Sequence, residues 1–125
     1  MAAIDTDRST VIIGAGQAGL ATGYFLKEFG LRFTILADDE QVGDPWRNRW
    51  DSLRLFTPAF YNHLPGMPFP ADDPEYLPGA GEVADYLRSY AETFDLPIEL
   101  ETRVIRLERD QDAFLLTSGD GQRRA

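Results

Sequence analysis

The hydrophobic pattern opens with a short unbroken β-branched run, Val11-Ile12-Ile13, of the kind a fully buried strand shows. Three glycines follow at Gly14, Gly16 and Gly19. The next stretch places Ala18, Ala21 or Thr22, Phe25 and Phe29 at three- and four-residue steps, which predicts a helix laying that face on a sheet. Gly30 stands where a glycine ends a helix. Arg32 to Leu36 is a second strand, so a βαβ unit runs from about residue 10 to 37.

From Asp38 to Gly81 the periodicity is lost. This stretch holds seven of the eight prolines and both tryptophans, and it is far longer than the connections of about 15 residues at most that compact domains ordinarily use. Its aromatic and apolar content (Trp46, Trp50, Leu53, Leu55, Phe56, Phe60, Tyr61, Phe69) predicts a packed segment that binds something or forms a lid. Glu82 to Phe94 then reads as a helix, with Val83, Leu87, Tyr90, Ala91 and Phe94 on one face and Glu82, Asp85, Arg88 and Glu92 on the other. Pro97 stops it. Ile98 to Leu107 alternates as a strand, or as two strands broken near Thr102. A tight Arg109–Asp112 connection leads to a strand over Ala113 to Ser118, and Gly119-Asp120-Gly121 turns the chain toward one more.

Strand, glycine turn and helix in immediate succession form a dinucleotide-binding pattern. Gly14 allows the tight turn, Gly16 lets backbone approach a pyrophosphate, and Gly19 lets helix and strand pack closely. The N–H groups of the first helical turn and the helix dipole favour an anion there without a lysine. An acidic group is needed at about 20 residues' distance to meet a ribose hydroxyl, and Asp38 and Asp39 stand there. The plainer alternative is a tight βα turn that binds nothing.

Composition narrows the partners. The 125 residues suit one domain, and a formal charge of −9 without a basic block argues against nucleic acid or an anionic membrane as partner. With no cysteine and one histidine, His63, the chain has neither a dithiol pair nor a multi-histidine metal site, so no metal is expected. His63 also lacks the companions of a hydrolase triad. The N-terminus lacks the basic and apolar regions of a signal peptide, and no run approaches the roughly 18 apolar residues of a membrane span. A cytoplasmic protein is expected.

The segments GAGQAGL (14–20), VGDPWRNRWDSLRLFTP (42–58), LPGMPFP (64–70) and YLPGAGEVADYLRSYAETFDLPIELETRV (76–104) together resemble the N-terminal FAD-binding region of flavin-containing monooxygenases. These are class B flavoprotein monooxygenases, which include the plant auxin-forming enzymes. The resemblance runs over about residues 10 to 124. It implies an α/β, Rossmann-like βαβ with a parallel sheet, the Trp/Pro-rich excursion and an antiparallel β-meander, forming a single, incomplete FAD-binding domain over residues 1–125. It further implies FAD with its pyrophosphate on Gly14, Gly16 and Gly19, Gln17 and Ala18 belonging to the same turn. The family usually has an acid directly after the second strand, where this chain has Ala37, so Asp38 or Asp39 must serve; Asp38 is the expected ribose ligand. Val104 matches the position whose backbone meets adenine. Gly43 to Arg47 resembles a G-G-x-W stretch beside the flavin, with Asp44 in place of the second glycine, so Trp46 and Arg47 are expected on the flavin side.

The chemistry so implied is reduction of FAD by NADPH, formation of a flavin C4a-hydroperoxide, and oxygen transfer to a small organic substrate. The catalytic residues are unknown, and neither an NADPH motif nor the Ala-Thr-Gly segment that closes such a domain occurs in these 125 residues. The chain alone is therefore expected to take FAD weakly, through its adenosine half, to support no NADPH oxidation, and to be marginally stable or to self-associate through an open hairpin edge around 113–118. Two other readings stand beside this one. One is another FAD/NAD(P)-binding oxidoreductase of the disulfide-reductase superfamily, and the other a non-catalytic nucleotide-binding or interaction module.

Overall fold

The computed structural model describes residues 10–125, and the N-terminal residues read above for a leader lie, except Thr10, outside them. Strand β1 (Thr10–Ile13) pairs in parallel with β2 (Phe33–Leu36), Thr10 opposite Phe33 and Ile13 opposite Leu36. On its other side β2 pairs in parallel with β3 (Ile98–Glu99). All four residues of β2 are buried, as in the centre of a parallel sheet covered on both faces.

Helix α1 (Gln17–Glu28) makes the crossover and ends as expected, with Leu31 N–H donating to Leu26 O and Gly30 N–H to Lys27 O. The face it buries differs from the one its apolar spacing predicts. Leu20 and Gly23 are buried, whereas Phe25 is 48% and Phe29 75% exposed. The cause is contact distance. A Cβ at Gly23 would lie 3.0 Å from Ile35 Cδ1 and 3.1 Å from the Phe33 ring, so the helix meets the sheet through its smallest residues.

Between β2 and the next long helix the chain forms helix α2 (Asp44–Arg47) and a single 3-10 turn (Ala59–Asn62). Helix α3 (Ala80–Thr93) follows, with Val83, Leu87, Tyr90 and Ala91 buried as predicted and the charged face exposed. Two tyrosine hydroxyls on α3 hold the proline-rich loop against the core. Tyr86 donates to Met67 O (2.6 Å) and accepts from Leu64 N–H (2.8 Å), and Tyr90 donates to Pro65 O (2.6 Å). The excursion is packed only in part. Phe69 is buried, while Trp50 and Tyr61 stand largely exposed and Phe56 is 99% exposed.

The segment from 98 to 110 resolves into two strands, β3 and β4 (Val104–Asp110), the second joined by a two-residue turn to β5 (Ala113–Ser118), which pairs in turn with β6 (Gly121–Arg124). This antiparallel meander is tied to the parallel sheet by Arg123 donating to Glu99. The expected open edge at 113–118 is corrected here: β5 is the central strand, bonded on both sides. Among the described residues the edge strands are β1 and β3 of the parallel sheet and β4 and β6 of the meander.

Candidate functional site

Past β1, Gly14 N–H donates to Leu36 O (2.7 Å), which fixes the glycine turn at the carboxyl end of β2. Gly14 has φ +105°, a conformation L side chains rarely adopt. Gly19 is required for another reason, since a Cβ there would stand 2.0 Å from Gly14 O and 3.4 Å from Ile12 Cγ2. Gly16, the N-cap of α1, has ordinary extended geometry and no side-chain cap, and a Cβ on it would meet nothing within 4 Å. Turn, close packing and open space are thus divided among the three glycines. Gln17 and Ala18 follow in the first turn, both exposed, where the N–H groups have no acceptor within the helix.

After β2 the chain stays zipped to the segment after β3. Ala37 N–H donates to Glu99 O, Thr102 N–H to Ala37 O and Glu101 N–H to Asp39 O, at 2.8–2.9 Å. Ala37 is thereby buried and Asp38 left exposed, its carboxylate 3.9 Å from Arg103 Nε. Asp39 is half-buried, and burial, then the Asp44 and Asp38 carboxylates, push its carboxyl above the usual range. Val104, next to Arg103, is half-buried at the start of β4. The glycine turn, Asp38 and Val104 therefore gather at the carboxyl ends of the parallel strands, where open α/β sheets take ligands.

The two remaining candidates, Trp46 and Arg47, sit on α2 and part company. Trp46 is half-buried, lies under the Arg49 guanidinium at 5.7 Å, and walls a cavity of about 310 Å³ together with Gln17, Thr57, His63, Phe69 and Tyr86. Arg47 is not in that wall. Its guanidinium donates to Val42 O (2.9 Å) and Asp44 Oδ1 (3.0 Å) and stands 3.8 Å from Asp85 Oδ1. The N–H of Gln41, reinforced by Arg47, holds the Asp44 carboxyl below its usual range. Gln17 links the two regions, since it belongs both to the first turn of α1 and to the cavity wall. Thr57, His63 and Phe69 escaped the sequence reading as site residues; the length of the Trp/Pro-rich excursion was the signal that pointed at them.

Over residues 11–125 the sequence matches the family described as pyridine nucleotide-disulphide oxidoreductase. The chain belongs to that family. It is 48% identical over 111 residues to an uncharacterized CzcO-like oxidoreductase of Geobacillus kaustophilus, covering 89% of this chain and 32% of the relative. It is 37% identical over 116 residues to the probable indole-3-pyruvate monooxygenase YUCCA9 of Arabidopsis thaliana, covering 90% and 27%. Among solved structures, a flavin-containing monooxygenase from Stenotrophomonas maltophilia superposes with a TM-score of 0.83 at 36% identity, over 94% of this chain and 36% of that one. The chain spans about a third of the length of these relatives. The family is thus one of oxidoreductases that includes flavin monooxygenases, and the resemblance seen in the sequence segments holds. No helix of the described residues is long and apolar enough to cross a membrane.

Proposed function

We propose that this chain is the FAD-binding part of an NADPH-dependent flavoprotein monooxygenase that acts on a small organic molecule in the cytoplasm. The observation that carries the reading is the open space at Gly16. A backbone N-cap with no side-chain cap, no neighbour within 4 Å of its Cβ position and a helix N-terminus behind it is built to meet an anionic group directly. Gly14, Gly16 and Gly19, with the N–H groups that follow at Gln17 and Ala18, would hold the pyrophosphate. Asp38 would accept hydrogen bonds from the adenosine ribose, and the backbone of Val104 would meet adenine. Gln17 leads toward the cavity at Trp46, whose volume of about 310 Å³ lies at the lower end of the roughly 300–1,000 Å³ of small-molecule sites, room for a ring system and not for a whole dinucleotide. Arg47 would act at one remove, holding α2 and hence Trp46 through Val42 and Asp44.

When bound, FAD supplies electron transfer from NADPH and the reaction with dioxygen, and the protein supplies position and exclusion of water. No residue of this chain is assigned to NADPH. A dithiol mechanism cannot come from these residues, which include no cysteine, and this favours the monooxygenase reading over the disulfide-reductase one. The test is a flavin difference spectrum of the protein with FAD. A perturbed flavin band that ADP reverses is expected; an unperturbed band at saturating protein would overturn the proposal.

A further inference from the structure

The cavity beside the N-terminus of α1 is lined by apolar side chains such as Leu55, Phe69 and Leu87 and by polar ones that include Gln17, Tyr61 and His63, the only histidine of the chain. His63 is held in a defined state. Its Nδ1 accepts the Phe69 N–H at 2.6 Å, so Nδ1 carries no hydrogen and the proton of the neutral ring sits on Nε2. Nε2 has no hydrogen-bond partner among the described residues. The ring packs edge-to-face on Phe60 (5.6 Å, 74°), and the turn behind it is pinned at Leu64 and Met67 by the Tyr86 hydroxyl. Thr57 and Asn62 in the same wall are occupied with each other: Thr57 Oγ1 donates to Asn62 Oδ1 (2.5 Å), and Asn62 Nδ2 to Thr57 O (2.9 Å). His63 is an exposed residue of the cavity lining and thus offers a solvent-accessible, oriented N–H donor on a fixed turn.

We propose that His63 is a specificity-determining residue, donating from Nε2 to a carbonyl or ring-nitrogen acceptor of a planar heterocycle seated near Trp46. Resting on the reading above, that heterocycle is the flavin half of FAD. Apolar side chains accept the ring faces, and the His63 donor, placed beside the Gln17 amide and the Tyr61 hydroxyl of the same lining, selects a ring with an acceptor on its edge.

Two substitutions separate the nitrogens of the ring. His63→Asn keeps an oxygen near the Nδ1 position for the Phe69 N–H and removes the Nε2 donor, while His63→Gln keeps a donor near Nε2 and removes the acceptor. Affinities for FAD and for ADP, which lacks the flavin, are measured on each, with the melting temperature. Wild type is expected to bind FAD more tightly than ADP, in contrast to the adenosine-half binding expected from the sequence, because the cavity at Trp46 and His63 adds a seat for the flavin. His63→Asn should lose about three- to tenfold in FAD affinity, the worth of one hydrogen bond, with ADP affinity and melting temperature unchanged. His63→Gln should melt lower but keep its preference for FAD. Equal affinity of wild type for FAD and ADP, an unchanged FAD affinity in His63→Asn, or parallel losses of FAD and ADP would overturn the proposal. Binding of neither ligand by wild type would overturn the dinucleotide reading itself.

Discussion

At the scale of single residues, the glycine turn was legible because two of its glycines answer a steric demand that no other residue meets, φ +105° at Gly14 and a 2.0 Å approach at Gly19, while Gly16 meets no demand within the protein. Which of two adjacent aspartates faces the ligand was not legible from spacing alone. The hydrogen bonds that bury Ala37 leave Asp38 exposed and Asp39 half-buried, with Asp39's carboxyl pushed up by burial and by its acidic neighbours. Asp38→Ala is therefore expected to weaken FAD by about tenfold or more, as for hydrogen bonds to a charged group, and Asp39→Ala by much less. Titration of both variants decides it, and the reverse order would move the ribose contact to Asp39. His63 was passed over because its partner, Phe69 N–H, lies six residues along a loop, at a separation that no periodicity records.

At the scale of elements, α3 was legible because its buried face is made of large apolar residues, and α1 was misread because its buried face is made of glycine and leucine. Hydrophobic spacing cannot register a contact whose value lies in being small. Tyr90 stands on the face that the spacing marks as packed, but the hydroxyls of Tyr86 and Tyr90 do more, since they anchor the loop that forms the cavity wall. Burial, then the neighbouring Tyr86 and Tyr24, push the Tyr90 hydroxyl up to about 12 from 10.0. With the folded value raised, the stability owed to neutral Tyr90 is fully present below pH 10 and is lost as pH rises toward about 12. Tyr86 is shifted upward too, mainly by burial, so it adds in the same sense. Tyr90→Phe is expected to cost about 1 kcal/mol at neutral pH through the lost bond to Pro65, and to flatten part of the alkaline decline in melting temperature. An identical alkaline decline in the variant would refute the assignment.

At the scale of the molecule, the order βαβ, excursion, helix, strand and meander was legible, because each part has its own period or punctuation. The pairing partners of the strands were not. The meander places β5 in the middle, so its edges are β4 and β6 as those of the parallel sheet are β1 and β3, while Phe25 on α1 and Phe29 at its C-cap, four residues apart, form an exposed apolar face. This chain on its own is expected to self-associate through that region. Sedimentation velocity should show a concentration-dependent species that Phe25→Glu with Phe29→Glu shifts to monomer; association unchanged in the double variant would locate the contact elsewhere.

The central claim is that backbone at Gly16 meets the pyrophosphate of FAD. Gly16→Val tests it most directly, because Gly16 has φ −80° and ψ −172°, which valine accepts, and no atom of the protein lies within 4 Å of the new Cβ. The fold should be retained, with a melting temperature lowered only by the poorer N-cap that valine makes, while FAD affinity falls by more than about tenfold, or about 1.4 kcal/mol. A folded Gly16→Val protein that binds FAD as tightly as wild type would contradict the account.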